Sequence, residues 1–212
     1  MMAFDFGMLP IALAAAIVAP AAAPQETAPA MLPFGISQDM RPSTLGCEAI
    51  DGGGSSTSDA TGQYVCKGAP EASDLFSEYI LAYVKGTGIC NISAVSSYIA
   101  EDSDGKKTRA LFGKAYALMS QQLGKPDETV DHATSNEFRD NRQFEEAIIS
   151  EDRQIFDQWN DLSLRFGNAE SASLTISGSD ELGLAVYGIF RFAGNDDCLR
   201  KMELATGRSA GE

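Results

Sequence analysis

Residues 75–96 read LFSEYILAYVKGTGICNISAVS. The first half, Leu75 to Lys85, is rich in β-branched and aromatic side chains, which suit a pleated, half-buried surface. Lys85-Gly86-Thr87-Gly88 supplies a turn, and Ile89 to Ser96 forms a second strand-like run. Two such runs around a short glycine-containing turn predict an antiparallel hairpin. A second hairpin is predicted from Ser171–Ser177 (SASLTIS) and Leu184–Phe192 (LAVYGIFRF), joined by a Gly/Ser/Asp loop. Strands that pair with their sequence neighbours point to an antiparallel α+β domain rather than a parallel βαβ sheet.

Two or three helices complete this reading. Ser103 and Asp104 are placed to cap a helix in which Ala110, Leu111, Ala115, Leu118, Met119 and Gln122 share one stripe, away from Lys106, Lys107, Lys114 and Gln121. That is a helical period, with Met119 as core filler, and Gly124 and Pro126 stop it. Thr134-Ser135-Asn136-Glu137 has the form of a capping box, predicting a second helix to about Ser150. Residues 151–160 fit strand or helix, with strand favoured. Asn195, Asp196 and Asp197 are expected to cap a short C-terminal helix carrying Cys198. At the other end, Leu32 to Met40 reads as a lead-in strand and Pro42 to Leu45 as a helical turn. Cys47–Asp51 and Gly62–Lys67 read as a hairpin around a Gly/Ser run.

The first thirty residues differ from the rest. They hold no Lys or Arg, are apolar and Ala-rich from residue 6 to 19, and end in small-residue patterns. This reads as a signal peptide at 1–30, cleaved after Ala30, with Gln25 as another mature start. Residues 31–205 form the expected single α+β domain, with two similar halves meeting near 127–135 as an alternative description, and 206–212 a tail. Thr44-Leu45-Gly46-Cys47 lies too far from the leader to be a lipobox. Later residues contain no stretch long and apolar enough to span a membrane. The net charge is −14, and −12 without the leader. Such an acidic chain is repelled by nucleic acid and anionic membranes.

The four cysteines, Cys47, Cys66, Cys90 and Cys198, all follow the leader. In an exported chain an even number favours disulfides, with three connectivities open. Cys47 and Cys66 flank a turn region, so the simplest pairing is Cys47–Cys66 with Cys90–Cys198. Asn91-Ile92-Ser93 matches a glycosylation sequon, read as chance on a strand.

Catalytic and cofactor patterns are sparse. The Gly/Ser run has no basic residue to reach a phosphate. Residues 100–111, AEDSDGKKTRAL, put Asp102, Asp104 and Gly105 at three EF-hand places, but Ala100 and Leu111 stand where a carboxylate and a bidentate Glu are required. The segment reads as a polar turn before a helix; Asp51, Asp59 and Asp102 are where calcium would be sought. No zinc knuckle is present, and the sole histidine, His132, reads as a solvated loop residue rather than a triad base. No cofactor or metal is predicted. The carboxylates Glu145, Glu146, Glu151, Asp152 and Asp157 lie near Trp159 in sequence. A glycosidase needs two carboxyls across a cleft, so Glu145 and Glu151, with Trp159 as a sugar platform, form the alternative catalytic set. The competing reading is a solvated helix face and a core tryptophan.

Phe34-Gly35-Ile36-Ser37-Gln38-Asp39-Met40 with Leu45-Gly46 resembles the F-G-x-x-x-G-M…L opening of SmpA/OmlA-like envelope proteins, with Asp39 at the second glycine. Leu118 to Pro126 (LMSQQLGKP) resembles the L-G-x-P helix end of the same group. The resemblance implies an α+β periplasmic interaction module without catalysis, and it transfers no functional residue. The expectation is a non-enzymatic, disulfide-stabilised bacterial protein, periplasmic or secreted, that binds an envelope or secreted protein. The alternatives are a cell-wall glycan hydrolase and an inhibitor of a secreted enzyme.

Overall fold

The computed structural model describes residues 33–50, 59–164 and 166–207. The expected leader, most of the Gly/Ser run with Asp51, and the last five residues of the expected tail lie outside them. The strands are β1 (Glu48–Ala49), β2 (Gly62–Cys66), β3 (Glu78–Val84), β4 (Gly88–Val95), β5 (Glu128–Ala133), β6 (Arg153–Trp159), β7 (Ala169–Ser179) and β8 (Gly183–Phe192). The helices are α1 (Lys106–Leu123), α2 (Phe144–Ile149) and α3 (Asn195–Thr206). The eight strands form one sheet in the order β1-β2-β3-β4-β8-β7-β6-β5, with every pairing antiparallel. Two consecutive meanders, β1–β4 and β5–β8, thus meet edge to edge. The fold is α+β, and the three expected hairpins form.

Side chains alternate across a strand, so the register sorts residues onto two faces. On the first face run the rows Tyr64–Leu81–Ile92–Phe190–Ala172–Trp159 and Cys66–Tyr79–Ala94–Gly188–Leu174–Asp157. All are buried under α1, α2 and the N-terminal segment. From α1 come Ala115, Met119 and Leu123, and from α2 Phe144, Ala147 and Ile148. Each large apolar side chain so buried contributes roughly 1.5–3 kcal/mol. Gly188 leaves the floor open for the overlying side chains: a Cβ there would lie 3.3 Å from Phe76 Cζ and 3.6 Å from Met119 Sδ.

Cys47 is bonded to Cys66 and Cys90 to Cys198. The second bond needs a register shift. Ala82 pairs with Asn91 but Tyr83 with Ile89, leaving Cys90 as an extra residue. This bulge keeps Cys90 on the side of Ala82 and Val84, where it packs with Cys198 and Met202 of α3.

Several expectations are corrected. Residues 33–40 form no strand. Pro33–Gly35 is a 3₁₀ turn with Phe34 at φ 53, which sets the Phe34 ring edge-on against Phe76, Tyr79 and Phe190 at 5.1–5.6 Å. The α1 stripe is rotated: Thr108, Ala115, Met119 and Leu123 are buried, while Ala110 and Gln122 are exposed. Its amides are capped by Asp102 and Asp104 rather than Ser103. No helix starts at Thr134, whose hydroxyl bonds Asp152 instead; two 3₁₀ turns, Glu137–Arg139 and Asn141–Gln143, precede the short α2. At Asn195 the helix start is set by Gly194 in the left-handed region, with no side-chain cap.

Candidate functional site

The residues of the alternative carboxylate set occupy different surroundings. Trp159 is 1% exposed and its indole N–H donates to the Gly124 carbonyl at 2.9 Å. A ring so enclosed has no free face for a sugar. Glu145 lines an open depression of about 540 Å³ with Ser103, Gln143, Glu146, Ser150 and Asp180 among its walls. Its Oε2 accepts the Asp102 amide at 3.1 Å, so it ties α2 to the start of α1. Glu151 is exposed on the turn after α2, at φ 62, and its amide donates to the Ile148 carbonyl.

The EF-hand-like stretch also has a structural use. One Asp102 oxygen accepts the Lys107 amide at 3.1 Å, and the other accepts the amide and hydroxyl of Thr108, each at 2.7 Å. Burial pushes this carboxyl up, but those donors outweigh burial and hold it below the usual carboxylate range. Asp59 accepts the Ser43 amide and hydroxyl, each at 2.9 Å. Asn91 of the sequon is half-buried in β4, with its side-chain amide turned to Asn195 at 3.5 Å. His132 is exposed on edge strand β5, not on a loop.

What sequence reasoning missed is the second face of the sheet. There α3 covers only β3 and β4. The row Glu48–Val65–Ile80–Ser93–Ile189–Ser173–Gln158–Glu128 crosses all eight strands on this side. A second row runs Glu78–Val95–Tyr187–Thr175–Phe156–Val130. Over β8–β5 no helix of the described residues packs on these rows, and Ile189, Tyr187, Ser173, Thr175, Phe156 and Val130 all stay partly exposed. On this side β8 presents Ala185, Tyr187, Ile189 and Arg191, β7 presents Ser171, Ser173, Thr175 and Ser177, and β6 presents Gln154, Phe156 and Gln158. The signal is already in SASLTIS, where every second residue is a hydroxyl.

Tyr98, 41% exposed, reaches this face, its hydroxyl 2.9 Å from that of Tyr187. Burial pushes the Tyr187 phenol far above its ordinary value, and the bond to Tyr98 adds to this. Carboxylates Glu48 and Glu128 mark the two ends of the long row, and both are exposed. Over β8–β5 these residues make a mixed surface, with Tyr187, Ile189, Phe156 and Val130 set among hydroxyl and Gln side chains and Glu128 at its outer end. No cluster of three or more His, Cys, Asp or Glu placed to hold a metal occurs among the described residues. No helix there is long and apolar enough to cross a membrane. No family model, curated protein or solved structure matches the chain.

Proposed function

We propose that the chain is an exported bacterial protein, periplasmic or secreted, that acts without catalysis by binding another envelope or secreted protein on the open face of its sheet. The observation that carries this is the stretch of sheet over β8–β5 that no helix of the described residues covers. Tyr187, Ile189, Phe156 and Val130 stay partly exposed there, and apolar side chains gathered on one open face mark an interaction site. Two disulfides support an oxidising compartment.

The partner is a cationic protein with an apolar centre to its contact patch. The net charge of −12 left once the expected leader is removed steers such a molecule in, and Glu128 stands at the outer end of the patch to receive its basic rim. The inhibitor reading is a special case in which that partner is a secreted enzyme. Nothing in the arrangement of Glu145, Glu151 and Trp159 favours the hydrolase reading.

The test is a calorimetric titration against a panel of basic secreted proteins, lysozymes included, at low and high salt. A Ser173→Arg variant, which puts bulk and positive charge on the open face, serves as control. Binding that weakens in salt and is lost in S173R supports the proposal. Binding indifferent to S173R places the site elsewhere.

A further inference from the structure

Strand β5 ends the sheet, and no strand of the described residues pairs with its outer edge. Thr134 N–H donates to Asp152 O at 2.8 Å and Asp127 N–H to Gln158 O at 2.8 Å at the two ends of the β5–β6 ladder. With the register Glu128↔Gln158, the first bond fixes the alternation of an antiparallel pair. Main-chain groups of Glu128, Val130 and His132 face β6, and those of Thr129 and Asp131 face outward.

Exposed edges are normally blunted by Lys, Pro, bulges or extreme shortness. The other terminal strand, β1, is two residues long. β5 has six residues, no Lys, no Pro, and an unbroken register with β6. The charge of Asp131 is countered by Arg153, whose Nε and a terminal nitrogen each lie 2.8 Å from a carboxylate oxygen.

The sequence Glu128-Thr129-Val130-Asp131-His132 is self-complementary about its centre. An antiparallel two-fold through Val130 sets each Glu128 opposite His132 of the second copy, Thr129 opposite Asp131, and Val130 opposite itself. The alternation agrees with this register. The outward-facing Thr129 and Asp131 become the hydrogen-bonded pairs, exchanging both amides. Val130, Glu128 and His132 become the non-hydrogen-bonded pairs, whose side chains approach most closely. Those side chains lie on the open face, so Val130 of both copies joins the rows that end on Phe156.

We propose that two copies of the chain associate through β5, antiparallel and in this register, to form one continuous sheet. The pairing rests on the edge alone and holds whatever partner the open face takes.

Sedimentation equilibrium on the disulfide-bonded protein tests it, with three variants altered at exposed or half-exposed positions. The wild type is expected to show a monomer–dimer equilibrium. V130K, which sets two ammonium groups against each other at the two-fold, is expected to be monomeric. H132E opposes Glu128 with a second carboxylate in two symmetric pairs, and should raise the dimer Kd at least about tenfold. The charge-swapped E128K/H132E restores opposite charges and should return the Kd to within about threefold of wild type. A wild type that stays monomeric to about 1 mM, a dimer unmoved by V130K and H132E, or a double variant no better than H132E would each overturn the proposal.

Discussion

Cys90 and Cys198 are bonded across 108 residues of sequence, joining the bulge of β4 to the first turn of α3. Cys47 and Cys66 close a separation of only 19. In the chain-entropy view the longer loop loses more freedom when cross-linked.

Replacing both Cys90 and Cys198 by Ser should therefore cost about 5 kcal/mol, against about 3 kcal/mol for Cys47 and Cys66. Urea unfolding of the two double variants measures the difference. Equal losses, or a larger loss for the shorter loop, would contradict the entropic account.

Asp102 predicts an acid-sensitive helix start. Its folded value is lowered, so its stabilisation is complete above the ordinary carboxylate value of about 4 and fades as pH falls through the lower, folded value. Asp102→Asn should cost about 1–2 kcal/mol at pH 7. The gap between wild type and variant should begin to close only below about pH 4. Thermal unfolding from pH 2 to 7 follows it; a gap independent of pH would assign the effect to packing.

Gly105 and Phe144 make another sharp case. Gly105 sits at φ 65, and a Cβ there would lie 2.2 Å from Phe144 Cδ1. That ring is fully buried, with the guanidinium groups of Arg109 and Arg153 over it at 5.4 and 5.1 Å from its centroid, so it has little room to yield. Gly105→Ala should destabilise by about 2–4 kcal/mol, combining left-handed strain with overpacking. Denaturant midpoints measure it, and a change below about 1 kcal/mol would mean that α2 moves aside.

The single tryptophan, Trp159, reports its own burial. Its fluorescence should be blue-shifted in the native state and resistant to iodide, and cell-wall oligosaccharides should leave it unchanged. Quenching by sugar would revive the stacking role.

Much of this fold is written locally. The hairpins β3–β4 and β7–β8 carry their own alternation and turn residues, and the cysteine pairing follows from one obvious loop. β5 was not legible, because Glu128–Ala133 is an edge strand in which only Val130 and Ala133 are even partly buried, so it shows no apolar period. The start of α2 was misplaced because Thr134 spends its hydroxyl on Asp152, a residue from another element. The open face was half legible: SASLTIS shows that β7 has two unlike sides. Which side the helices cover depends on where α1 and α3 pack, and that is decided by distant residues.

The most direct measurement places a photo-crosslinking amino acid at Ser173, on the open face, and separately at Gln121, exposed on α1. Both proteins are irradiated in the exporting cell, and adducts are identified by mass. The account predicts a discrete adduct with a basic envelope or secreted protein from position 173 and none from 121. No heterologous adduct at 173, or the same adducts from both positions, would contradict it.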